Sequence, residues 1–128
     1  METIEKIRGE VYSSNCPTRQ VLDRIGDKWT TLVIGLLAEK SRRFSELRRN
    51  IGGISQKMLT QTLRNLERDG LVNREVFAEV PSRVEYSLTP LGQTLCGPLD
   101  AIREWAEENI SDVLTAQTIY DELQEEKS

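Results

Sequence analysis

At Gly70 the hydrophobic period of this chain changes, and that change constrains its architecture more than any other feature. Before Gly70, apolar residues recur at i, i+3, i+4 and i+7, the spacing of one helix face. After it come Leu71-Val72-Asn73-Arg74-Glu75-Val76-Phe77 and Arg83-Val84-Glu85-Tyr86-Ser87-Leu88, short runs rich in β-branched and aromatic residues. Ala78 to Ser82 separate them, enough chain for a hairpin tip. Thr89-Pro90 then reopens a helix, because threonine caps and proline suits the first turn.

The helical half is punctuated. Asn15-Cys16-Pro17 opens a helix predicted over Pro17 to Ile25, with Val21, Leu22 and Ile25 on one face and Gly26 ending it. Asp27 caps a second helix, in which Trp29, Leu32, Val33, Leu36 and Leu37 form a buried stripe. Glu39 to Arg43 reads as a polar connection. Phe44, Leu47 and Ile51 mark a short third helix, Gly52-Gly53 a turn, and Ser55 the start of a fourth that runs to Asp69. Beyond the hairpin, a long helix is expected over 90–110, kinked at Gly97-Pro98. The fold class is therefore mainly α with a small β-hairpin: a winged helix-turn-helix with a long C-terminal helix. The expected organisation is an arm or short helix over 1–15 that makes a dimer contact, a binding domain over 16–110 that ends in a dimerisation helix over 90–110, and an acidic helix or tail over 111–128.

Composition removes several classes of function. The chain has no histidine, and its two cysteines, Cys16 and Cys96, lie far apart. A zinc site is thus not expected, and the usual general base is missing. No nucleophile–base pair and no phosphate-binding loop is present, so neither an enzyme nor a cofactor is expected. No apolar run approaches the roughly 20 residues that span a bilayer, and Met1 to Glu10 lacks the apolar core of a secretion signal. The expectation is a cytoplasmic protein without a membrane partner.

The net charge of −4 conceals an asymmetry. Residues 42–74 hold eight Arg or Lys (Arg42, Arg43, Arg48, Arg49, Lys57, Arg64, Arg68, Arg74) against Glu46, Glu67 and Asp69. Residues 100–128 hold nine acids against Arg103 and Lys127. A nucleic-acid backbone responds to the local field rather than to the isoelectric point.

The helix over 55–69 carries the functional reading. At 100° per residue, Leu59, Thr62, Leu63 and Leu66 share one side, and Lys57, Thr60, Gln61, Arg64 and Arg68 share the other. That second side has no acid, although solvated helix faces usually alternate signs. It suits the major groove of double-stranded DNA, where Arg or Lys reads guanine and Gln reads adenine. Ser55 and Gln56, at the helix start, are placed to meet a phosphate. Arg42, Arg43, Ser45, Arg48 and Arg49 could clamp backbone beside it. Arg83, near the hairpin tip, could reach a phosphate or the minor groove, or pair instead with Glu75 or Glu85. The competing reading is a winged helix that docks its basic helix on an acidic protein.

These segments resemble a known family. Cys16-Pro17, Asp23-x-Ile25-Gly26-Asp27-Lys28-Trp29, Arg43-Phe44-Ser45-Glu46-Leu47 and Gly53-Ile54-Ser55-Gln56-Lys57-Met58-Leu59-Thr60 are similar to the HxlR-type winged-helix regulators of bacteria, relatives of MarR-type proteins. Leu63-Arg64-x-Leu66-Glu67-x-Asp69-Gly70-Leu71-Val72 and Glu79-Val80-Pro81-x-Arg83-Val84-Glu85-Tyr86-Ser87-Leu88-Thr89-Pro90-Leu91-Gly92 continue the pattern, which covers about residues 16–106. The resemblance implies a homodimer on an inverted-repeat operator, with Ser55 to Arg64 in the major groove and the hairpin as the wing.

A dimer also has a physical argument. Ile4, Ile7 and Val11 near the start, and Leu99, Ile102 and Trp105 in the long helix, exceed what one small core needs and could cover each other across a two-fold axis. Cys16 stands at a helix N-terminus, where the dipole favours a thiolate, with Arg19 one turn on. It is a candidate sensor of an oxidant or small electrophilic effector, weighed against simple packing as a small apolar residue.

Overall fold

The structure, a computed structural model, describes residues 11–13 and 16–127. It divides into two compact units, residues 1–94 and 95–128.

The first unit is built as the change of period requires. Helices α1 (Pro17–Ile25), α2 (Lys28–Glu39), α3 (Phe44–Asn50) and α4 (Gln56–Arg68) precede strands β2 (Val72–Phe77) and β3 (Arg83–Leu88), and a single turn, α5 (Pro90–Gln93), follows. Asp27 caps α2 through its carboxylate, which accepts from Trp29 N at 2.8 Å and Thr30 N at 3.4 Å. Thr89 Oγ1 accepts from Gly92 N at 3.0 Å and donates to Gly70 O at 2.6 Å, tying the end of the hairpin to its beginning. Gly70 takes φ +77°, a left-handed conformation that glycine adopts without a Cβ clash, and there α4 gives way to the sheet.

A third strand lies where a polar connection is expected. β1 (Arg42–Arg43) pairs antiparallel with β3, so the sheet order is β1-β3-β2. The register puts Arg42 opposite Tyr86 and Tyr86 opposite Arg74, with Arg43, Glu85 and Glu75 in the adjacent row. Two residues carry no period of their own; β1 exists because β3 offers it a ladder.

The core of this unit is formed by Val33, Ile34 and Leu37 of α2, Leu47 of α3, and Leu59, Leu63 and Leu66 of α4, all buried. One expectation changes here. The buried side of α2 is Thr30, Val33, Ile34 and Leu37, whereas Leu32 is exposed and Trp29 and Leu36 are half-buried. On α1 no residue is buried: Val21 and Leu22 are exposed and Ile25 is half-buried. Periodicity identifies an apolar face but not whether the same chain covers it.

The second unit is one helix, α6 (Cys96–Lys127), of 32 residues. Instead of a single helix over 90–110 with a kink at Gly97-Pro98, α5 ends at Gln93 and a new helix begins at Cys96. Pro98 therefore sits in the first turn of α6, where its missing N–H has no intrahelical partner to lose. The stretch after Ser111, expected as an acidic helix or tail, continues the same helix. Leu99 is buried, whereas Ile102, Trp105, Ile110, Leu114, Ile119, Tyr120 and Leu123 are exposed. No described helix is long and apolar enough to cross a membrane.

Candidate nucleic-acid interface

α3, the turn after it and α4 make a helix-turn-helix. The turn holds Gly53 at φ +83°, a left-handed conformation that disfavours a side chain, and buries Ile51 and Ile54 on either side. Ser55 follows in extended backbone and caps α4, its hydroxyl accepting from Met58 N at 3.1 Å. Accepting that bond leaves the hydroxyl proton available for donation.

The two sides of α4 divide as the sequence predicts. Leu59, Thr62, Leu63 and Leu66 are all buried. Thr62 satisfies its hydroxyl by donating to Met58 O at 2.8 Å. On the other side Lys57, Gln61, Arg64 and Arg68 are exposed and Thr60 is half-buried. Gln61 Nε2 donates to Asn65 Oδ1 at 3.1 Å, which holds its amide along the helix. The C-terminal end is anchored to α1 by Arg24 Nε and Asp69 Oδ2, 3.1 Å apart.

Around this face the cations fall into two groups. Arg43, Ser45, Arg48 and Arg49 are exposed on β1 and α3. Glu46 bonds backward, accepting from Arg43 N at 3.3 Å, and so organises the start of α3. Ser45, Arg48 and Arg49 join Phe44 and Gln56 around an open depression of about 570 Å³. Among the described residues, none of Arg43, Arg48, Arg49, Lys57, Arg64, Arg68 and Arg74 forms an ion pair.

Arg42 and Arg83 behave differently: Arg42 corrects the sequence reading, and Arg83 takes the carboxylate-paired alternative that the sequence leaves open. Arg42 is buried, with Nη2 2.5 Å from Glu39 Oε2 and Nε donating to Leu36 O at 3.4 Å. It secures β1 to the end of α2 and cannot serve as a backbone clamp. Arg83 lies over the Phe77 ring, 4.0 Å from its centroid, with Glu79 at 3.2 Å and Glu85 at 3.9 Å. Its charge is spent inside the hairpin, closer to the carboxylate-pair reading than to a phosphate contact.

Arg74 is the residue that sequence reasoning passed over. It is exposed on β2 and shares a cleft of about 440 Å³ with Gln56, Thr60, Arg64 and Glu67 of α4, floored by Phe44, Leu63 and Tyr86. The available signal was strand alternation, which puts Arg74 on the same side as the buried Val72.

Cys16 is buried at the N-cap of α1, and Cys96 is half-buried at the start of α6. Ile102 and Trp105 are exposed, Leu99 is buried and Val11 is half-buried; Ile4 and Ile7 lie outside the described residues. No group of three or more potential metal-ligating side chains occurs among the described residues.

Residues 24–113 match the model of a family described as HxlR-like helix-turn-helix. The HTH-type transcriptional regulator YtfH of Escherichia coli strain K12 is 44% identical over 109 residues, covering 85% of this chain and 86% of its own. The structure of the transcriptional regulator ytfH from Salmonella typhimurium superposes with a TM-score of 0.82 at 41% identity, covering 87% of this chain and 99% of that one. The redox regulator HypR, in its oxidised form, superposes with a TM-score of 0.69 at 46% identity, covering 73% of this chain and 97% of its own.

Proposed function

The chain belongs to the HxlR-like helix-turn-helix family, and from that premise we propose that it represses transcription as a homodimer bound to an inverted-repeat operator in double-stranded DNA. The observation that carries this reading is the outward side of α4: Lys57, Thr60, Gln61, Arg64 and Arg68, with no acid among them, on a helix whose other side is fully buried. A helix of that width fits the major groove, and Arg43, Arg48 and Arg49 supply backbone cations beside it.

The homodimer is supported by α6. At 100° per residue, Ile102, Trp105, Val113, Ala116, Tyr120 and Leu123 share a stripe that excludes all nine acids of residues 100–128. The exposed Ile102, Trp105, Tyr120 and Leu123 need an apolar cover, and the same stripe of a second copy supplies one.

The experiment is binding to duplex DNA across a salt series. Each phosphate neutralised adds about −0.9 to the slope of log affinity on log salt, so a steep negative slope is expected. A shallow slope, with capture of acidic proteins in preference to duplex, would transfer the basic helix to the protein-docking reading.

A thiol-based response is supported by the similarity to HypR, a redox regulator, and by the place of Cys16 at a helix N-terminus. Because Cys16 is buried, an oxidant or small electrophile must wait for its segment to open. Oxidant is expected to change duplex affinity in the parent and not in Cys16→Ser; identical responses would remove the assignment.

A further inference from the structure

We propose that Arg74, not Arg83, is the arginine of the wing that holds a DNA phosphate, in the cleft it shares with Arg64. The inference rests on the DNA-binding reading and adds a contact that the reading lacks.

The argument is one of parity. Successive side chains of a strand point to opposite faces, and directly paired residues share a face. In the register of β2 and β3, Arg74 pairs with Tyr86, and Phe77 pairs with Arg83. Phe77 lies three positions on from Arg74, an odd offset, so the two arginines project from opposite sides of the sheet. The Arg74 side carries buried Val72 and turns toward α4, where Arg74 and Tyr86 join Gln56, Thr60 and Arg64 around the 440 Å³ cleft. The Arg83 side carries Glu75 and Glu85 in the neighbouring row, with Arg43 of β1 beyond them opposite Glu85.

Charge separates the two sides in the same direction. Arg83 is held by Glu79 and Glu85 and laid on Phe77; moving it to a phosphate would strip two carboxylates of their cation and bring them toward the DNA backbone. Arg74 has no ion pair among the described residues. Glu67 is the cleft's acid, opposed there by both Arg64 and Arg74, so the cleft keeps a net positive charge. An exposed guanidinium beside the groove-facing side of α4 presents several donors to a phosphate, in a fork that suits its oxygens. Arg74 stands on an edge strand and is exposed, so replacing it removes a charge without opening the core.

The test compares Arg74→Gln, Arg74→Lys and Arg83→Gln with the parent on a mixed-sequence duplex across a salt series. Arg74→Gln is expected to weaken binding about tenfold at low salt and to make the log–log slope shallower by about 0.9, the loss of one phosphate. Arg74→Lys keeps the charge and should retain most of the slope. Arg83→Gln should leave the slope at the parental value. An unchanged slope in Arg74→Gln, or a loss of slope in Arg83→Gln alone, overturns the assignment while leaving the DNA reading intact. A parent without salt-dependent binding overturns both.

Discussion

α4 and α6 are both amphipathic, and the chain treats them in opposite ways. α4 hides its apolar side completely, burying Leu59, Thr62, Leu63 and Leu66, and presents Lys57, Arg64 and Arg68 to solvent. α6 leaves Ile102, Trp105, Tyr120 and Leu123 exposed and gathers its acids on the remaining surface. The difference teaches what each helix lacks. The apolar side of α4 is satisfied within the fold, so its unmet interaction is electrostatic, and a polyanion meets it. The charged side of α6 is content in water, so its unmet interaction is hydrophobic, and an apolar surface meets it. Sign and polarity are thus the grounds for the proposal that DNA meets one helix and a second copy the other.

The sharpest way to break that contrast is to make the same kind of change on each apolar side. Leu63→Ala, in the core, should destabilise the fold by about 2–5 kcal/mol, through lost transfer energy and the cavity left behind. Chemical denaturation would register it as a lower midpoint. Trp105→Ala should leave that midpoint, measured on dilute protein, nearly unchanged and instead weaken self-association by about 2 kcal/mol, the size of an interface hot spot. Sedimentation over a concentration series reads the second effect. If Trp105→Ala leaves the association constant at its parental value, the stripe of α6 is not the dimer surface.

Much of this contrast is legible in the sequence because it depends on short-range period. Ser55 and Gly70 bracket α4, and 100° spacing sorts its buried and exposed residues correctly. The hairpin strands also follow from their composition. What escapes is whatever depends on a partner distant in sequence. β1 is a strand only because β3 lies beside it, and that pairing accompanies the burial of Arg42. Arg83 is near the hairpin tip, but its side of the sheet follows from the strand register, which five loop residues set. Val21 and Leu22 have the period of a core face and are exposed, because period does not say which chain provides the cover. The break before α6 is misread for a local reason: proline signals a kink within a helix and a start at its first turn, and only the end of α5 at Gln93 decides between them.

A smaller effect sharpens the electrostatic half of the contrast by separating two cations on the same side of α4. Arg64 and Lys57 are both exposed, but Arg64 also lines the cleft toward β2 and Lys57 does not. A guanidinium can pair bidentately with a guanine edge, whereas an ammonium acts as a point charge on backbone. Arg64→Ala should therefore cost about 1–3 kcal/mol of discrimination between the preferred operator and a version altered at one base pair. Lys57→Ala should weaken both duplexes alike and make the salt slope shallower by about 0.9. Competition binding with the two duplexes measures the first quantity, and a salt series the second. If Arg64→Ala weakened every duplex equally, α4 would contribute field without readout, and the bases would have to be read elsewhere in the fold.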